Sequence, residues 1–143
     1  MSFLNWRSRE KLTEMLIKHE GMALKSYRCT AGKNTIGVGR NLDDAGISQE
    51  EALLLLANDI ERLELRLTCR LPWIVKLPEP QQLVLLNMAF NLGVGGLLKF
   101  KNMLTALERQ DIRSTQHEML NSRWARQVGY RCDDLVKLVA NKE

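Results

Sequence analysis

The chain has 143 residues, 45% of them apolar and 27% charged, with 21 basic against 17 acidic side chains. This is the composition of one ordinary soluble domain that can bury a core without metal or disulfide, and it excludes collagen-like, disordered and disulfide-scaffold classes. The longest apolar block, Ala52 to Ala57, falls far short of the roughly 20 residues of a bilayer span, so no stable membrane insertion is expected.

The segment Met1 to Arg9 places its apolar residues ahead of its charges and has no hydrophobic stretch of signal-peptide kind, which predicts synthesis and storage in the cytoplasm. Cys29, Cys69 and Cys132 are odd in number and lack C-x-x-C spacing; all three are read as thiols, and no metal or other cofactor is called for. Residues 1–40 carry eight basic and three acidic side chains, 41–71 three and seven, and 72–143 ten and seven, so two basic ends flank an acidic middle. Such ends are mostly solvated surface and otherwise attract an anionic polymer. With 6% aromatic residues and no stacking run, nucleic acid is not the expected partner.

Leu12, Met15, Leu16 and His19 recur at helical spacing between Ser8, a possible N-cap, and Gly21, which predicts a first helix ending near Glu20. Gly32, Gly37 and Gly39 then alternate with Tyr27, Thr30, Thr35, Ile36 and Val38, and Ala31 to Asn34 has turn chemistry, so a small antiparallel sheet follows. Ser48-Gln49-Glu50-Glu51 is a capping box that starts a long helix, one-sidedly apolar through Leu67 and stopped by Pro72. Pro80 suits a first helical turn, and Leu83 to Leu92 leave almost no polar face, which predicts a buried helix broken at Gly93. Shorter helices at roughly 99–109, 111–121 and 130–141 place Leu104, Leu107, Met119, Leu120, Leu135, Leu138 and Val139 inward.

The predicted class is therefore α+β and mostly helical. A helix-and-sheet lobe over about 1–47 is joined by a connecting helix, about 48–68, to a helical lobe over about 72–143, all within one domain.

Glu20 sits where the first helix ends, so its carboxyl can project toward the sheet, where burial would raise its pKa and suit it to proton donation; the alternative is an ordinary surface charge. Cys29, Thr30 and Thr35 lie across a tight loop and could line the same cleft.

Three blocks carry a resemblance. His19-Glu20-Gly21, then Leu24 to Gly32, then Thr35-Ile36-Gly37-Val38-Gly39-Arg40 resemble the active-site region of the phage-type lysozymes, the T-even phage muramidases. Asn87-Met88-Ala89-Phe90-Asn91-Leu92-Gly93 is similar to that family's buried central helix, and Ser122-Arg123-Trp124-Ala125-Arg126-Gln127, with Arg131 beyond, to its late Ser-Arg-Trp segment. The blocks stand in family order from about residue 10 to about 135, which implies the lysozyme-like fold.

By this resemblance the family's general acid falls on Glu20, its threonine on Thr35 and the arginine that pairs with the acid on Arg131. Its second acidic residue, an aspartate, falls on Cys29. Glycoside hydrolysis ordinarily uses two carboxyl groups, one to protonate the leaving oxygen and one to activate water or attack the sugar. A thiolate at Cys29 could stabilise the cationic transition state or act as base or nucleophile, with Lys25, Arg28 or Arg40 lowering its pKa; the alternative is an inert space-filling side chain. Asp43 and Asp44 are loop charges or, alternatively, the missing carboxylate. Arg40 stands where many family members have histidine and can instead pair with Asp59 or another acid of the connecting helix.

Phe90 would floor the cleft and Asn91 would hydrogen-bond an N-acetyl or hydroxyl group, or both are core and helix-end residues. Trp124 is a packing anchor or a sugar-stacking face, with Arg123 and Arg126 beside it as attractors of wall carboxylates. His19 reads as structural and His117 as exposed. The resemblance implies an endolysin, a monomer that cuts the β-1,4 bond between N-acetylmuramic acid and N-acetylglucosamine of bacterial peptidoglycan, with inversion. It would be released from the host cytoplasm through a holin to reach the periplasm and cell wall. A lytic transglycosylase and a non-catalytic glycan-binding protein on the same scaffold are the alternatives.

Overall fold

The structure, a computed structural model that describes residues 2–142, opens its first helix at Asn5 rather than at Ser8. The Asn5 Oδ1 accepts a 2.9 Å hydrogen bond from the Ser8 amide, so the residue expected to cap the helix is instead the one whose amide is capped. Helix α1 (Trp6–Glu20) stops at Gly21, whose amide donates to the Ile17 carbonyl. Strands β1 (Ala23–Arg28), β2 (Asn34–Gly37) and β3 (Arg40–Asn41) follow as the expected antiparallel sheet, in the order β1-β2-β3.

The sheet register sets Tyr27 opposite Thr35 and Thr35 opposite Asn41, so Thr35 occupies the middle of the central strand. Among the described residues up to Leu54 it is the one that is buried, 3% exposed. The β1–β2 turn closes through the Cys29 amide on the Lys33 carbonyl and the Gly32 amide on the Cys29 carbonyl, both 2.9 Å.

Helix α2 (Gln49–Arg70) begins at the capping box read from the sequence. The Glu51 amide donates to Ser48 Oγ at 3.1 Å, and the Ser48 amide donates back to Glu51 Oε1 at 2.9 Å. The chain divides into two compact units, the first ending at Leu54 and the second beginning at Leu55, so the boundary falls inside this helix.

In the second unit a 3-10 turn (Pro72–Lys76) leads into α3 (Glu79–Leu98), with Pro80 in its first turn as expected. The expected break at Gly93 is a kink: the residue has φ 78° and ψ 159°, a conformation open in practice to glycine alone, and the helix resumes to Leu98. Then come α4 (Lys101–Glu108), α5 (Ile112–Leu120), α6 (Arg123–Val128) and α7 (Tyr130–Val139). The short α6 was not among the expected helices, although Ser122 caps it through the Ala125 amide at 3.1 Å and Gly129 ends it.

The core is built from Leu67, Leu85, Met88, Leu97, Leu107, Met119 and Val139, all fully buried. Burying one such side chain stabilises the fold by roughly 1.5–3 kcal/mol. Leu104 and Leu135 face inward as expected and Leu138 is partly buried, but Leu120 is 51% exposed because α5 turns Met119 to the core instead. By length and composition α3 is long and apolar enough to cross a membrane, although polar residues interrupt its apolar run. Val84, Leu85, Met88, Ala89, Val94 and Leu97 of this kinked helix are packed in the core, whereas Leu83 and Phe90 on its other side are exposed. Gln81, wholly buried, exchanges amide hydrogen bonds with Gln110 (2.7 and 3.1 Å), so this polar intrusion is satisfied.

Candidate active site

Glu20 is the last residue of α1, and its carboxyl reaches the turn between β2 and β3. A Cβ placed on Gly39 would lie 3.2 Å from Glu20 Oε2 and 3.5 Å from Cδ, so the carboxyl occupies the space a side chain at residue 39 would need. The carboxyl does project toward the sheet, but Glu20 is exposed and the burial expected for it is not found. His19 beside it is exposed as well.

Cys29 follows β1 directly and is half-buried with a free thiol; Cys69 is exposed and Cys132 buried, both also free. The Lys33 and Ala31 amides and the Thr35 hydroxyl, polar donors near the Cys29 sulfur, favour its anion and hold its pKa below the ordinary thiol value. These groups replace the side chains of Lys25, Arg28 and Arg40 that sequence suggested for that task. Burial pushes the Cys132 thiol the other way, and Asp133 adds to the effect.

The Thr35 hydroxyl also donates to the Lys33 carbonyl at 2.9 Å. Cys29 and Thr35, which the sequence places across a tight loop, are thus electrostatically linked.

Asp43 and Asp44 act as loop charges. Asp43 accepts from the Asn34 amide (2.9 Å) and from Asn34 Nδ2 (3.2 Å), contacts that lower its pKa. Asp44 accepts from Lys33 Nζ at 3.3 Å and from Asn41 Nδ2 at 2.9 Å. Both carboxylates are thus spent on bracing the turn that carries Lys33 and Asn34. Arg40 pairs with an acid of the long helix as expected, and the acid is Glu51, not Asp59. Nη1 and Nη2 donate to its two oxygens at 2.8 Å each, and Nη1 also reaches the Gly46 carbonyl at 3.1 Å. Asp59 is taken by Arg62 one turn along α2.

In the second unit Phe90 is 50% exposed and borders an open pocket of about 350 Å³ with Asp59, Arg62, Arg66 and Gly93. Asn91 Oδ1 accepts a 2.8 Å bond from the Trp124 indole nitrogen. Trp124 is 3% exposed and meets Phe100 edge-on with ring centroids 6.1 Å apart, so it is a packing anchor and its ring has no open face for a sugar. Its work on Asn91 is positional: it fixes the carboxamide's orientation. Arg123 and Arg126 are exposed, and so is His117. Arg131 Nε donates to Asn87 Oδ1 at 2.8 Å and Nη2 to the Asn87 carbonyl at 3.3 Å. A polar residue in an otherwise apolar helix was the available sign that Asn87 holds something.

Comparison with known proteins places these residues in context. The chain is 27% identical over 156 residues to the pre-baseplate central spike protein Gp5 of Enterobacteria phage T4, an alignment covering 90% of this chain and 27% of that protein. It is 33% identical over 89 residues to an endolysin of Acyrthosiphon pisum secondary endosymbiont phage 1, covering 59% of each. It is 26% identical over 157 residues to the probable T4-type lysozyme 1 of Dictyostelium discoideum, covering 90% and 92%. The chain thus spans about a quarter of the spike protein and somewhat over half of the endolysin. The phage lysozyme family model matches residues 17–141, a stretch that holds Glu20, Cys29, Thr35 and the late Ser-Arg-Trp segment, and the chain belongs to the phage lysozyme family.

Proposed function

We propose that this chain is a lysozyme-type glycoside hydrolase of bacterial peptidoglycan, cutting the β-1,4 bond between N-acetylmuramic acid and N-acetylglucosamine. The observation that carries the reading is the family match over the stretch that holds Glu20, Cys29 and Thr35.

Glu20 protonates the glycosidic oxygen as the C–O bond breaks. A water attacks the anomeric carbon from the other side and gives its proton to the Cys29 thiolate, while Thr35 orients that water. Product leaves with inverted configuration, and one proton passes from Glu20 to the leaving sugar as another passes from water to sulfur. The amides of Lys33 and Ala31 assist by stabilising the sulfur as an anion before water binds. Phe90 and Asn91, both exposed, are offered as sugar-binding residues of the second unit, where Arg131 is held on Asn87.

The test is loss of turbidity of permeabilised Gram-negative cell walls with wild type and Glu20→Gln side by side, followed by mass analysis of the fragments. Clearing by wild type alone, with reducing muramyl ends, is the expected result. Anhydro-muramyl ends would instead mean transglycosylation, and wall binding without clearing by either protein would mean a glycan-binding protein.

As an endolysin the protein is stored in the host cytoplasm and released through a holin to reach the wall. The alignment with a phage spike protein supports a second setting, in which the same chemistry opens the wall from a virion component. Detection of the chain in purified particles separates the two.

A further inference from the structure

Two glycines flank Val38 in the turn between β2 and β3, Gly37 with φ +67° and Gly39 with φ +71°. Both need glycine for the backbone, because an L side chain at such angles is strained. Only Gly39 has a second reason. A Cβ at Gly37 would meet nothing within 4 Å, whereas one at Gly39 would press on Glu20 Oε2 at 3.2 Å, on Cδ at 3.5 Å and on Cγ at 3.6 Å.

We infer that Gly39 is a positioning residue for Glu20: by having no side chain it gives the carboxyl the seat from which it delivers its proton. This rests on the reading of Glu20 as the general acid. Glu20 is exposed and ends its helix, so little else around it fixes three rotatable bonds. The flat face of a glycine in a turn braced by the Arg40–Glu51 pair is a rigid stop for such a side chain. A methyl group there must displace the carboxyl by a few tenths of an ångström or swing it to another rotamer. A displacement of about 1 Å, as in a swing to another rotamer, costs about 100-fold in rate, and a shift of a few tenths costs less.

The test compares Gly39→Ala with Gly37→Ala, which share the backbone strain and differ in the contact. Expected for Gly39→Ala is a fall in kcat of about 10- to 100-fold with KM within about twofold, because the loss lies in the transition state and not in glycan binding. For Gly37→Ala the expected fall in kcat is under about threefold. The 13C resonance of the Glu20 carboxyl should move in Gly39→Ala and stay in Gly37→Ala. Equal losses at both positions, or an unmoved carboxyl resonance in Gly39→Ala, would overturn the proposal.

Should Gly39→Ala not fold, wild-type protein still decides, through the nuclear Overhauser contact expected between the Gly39 α-protons and the Glu20 γ-protons; its absence overturns the seat. Glu20→Gln with wild-type activity would instead remove the general-acid reading, leaving the seat itself testable by that contact.

Discussion

Arg40 and Glu51 face each other as a two-pronged pair, with Nη1 to Oε1 and Nη2 to Oε2 both at 2.8 Å. Glu51 at the same time accepts from the Ser48 amide, so one carboxylate both caps α2 and anchors the end of the sheet. Arg40 and the Ser48 amide hold its pKa down to about 2.

A carboxylate whose folded pKa lies below its unfolded value stabilises the protein at pH above the unfolded value and loses that contribution as pH falls through the folded one. The window here runs from about 4.5 down to about 2. Arg40→Leu should therefore lower the melting temperature at pH 7, and the difference from wild type should shrink across that window and vanish near its acid end. A difference that is constant with pH would refute the linkage.

The lowered pKa of Cys29 should show in its reactivity. Iodoacetamide labelling in a Cys69→Ser background should follow a midpoint below the ordinary thiol value, and Thr35→Val should move that midpoint upward by removing one donor. Cys132, buried with its thiol raised, should stay unlabelled until the protein unfolds.

Activity should rank by charge at residue 29. Glu20→Ala should abolish wall clearing, Thr35→Ala should weaken it, and Cys29→Ala should weaken it more than Cys29→Asp, because aspartate restores an anion next to the Lys33 and Ala31 amides. Turbidity assays at one pH rank the four variants, and Cys29→Ala equal to wild type would take sulfur out of the mechanism.

Gln110 has φ 60° and holds the wholly buried Gln81 by both amide atoms. Gln110→Ala leaves part of a buried amide without its partner and should cost about 1–3 kcal/mol in urea unfolding. Gln110→Gly relieves the backbone yet removes the same partner, so it should recover only part of that loss.

What sequence made legible was local. The capping box at Ser48 stands as read because both of its hydrogen bonds join residues three apart. Arg40 was visible as a cation in search of an acid, but the choice of Glu51 over Asp59 depends on how the sheet end meets the helix start, which no spacing encodes. The donors to Cys29 were sought among basic side chains, and the amides that replace them have no letter in the sequence. Leu120 and Met119 are equally apolar neighbours, and only the rotation of α5 decides which is inside. Trp124 read two ways until its burial and the Asn91 bond were seen.

Among its described residues the first unit buries one, and that residue carries a hydroxyl. Its strands and turns are tied by amides, carboxylates and a guanidinium, bonds that water can replace one at a time, whereas the second unit is closed by hydrocarbon. Backbone amides of the sheet should accordingly exchange with deuterium by local opening long before those of α3 and α5. Peptidoglycan seated on Glu20 and the sheet would then act as a fastener as well as a substrate, and slowed exchange in Asn34 to Gly37 on addition of a non-cleavable glycan would register it.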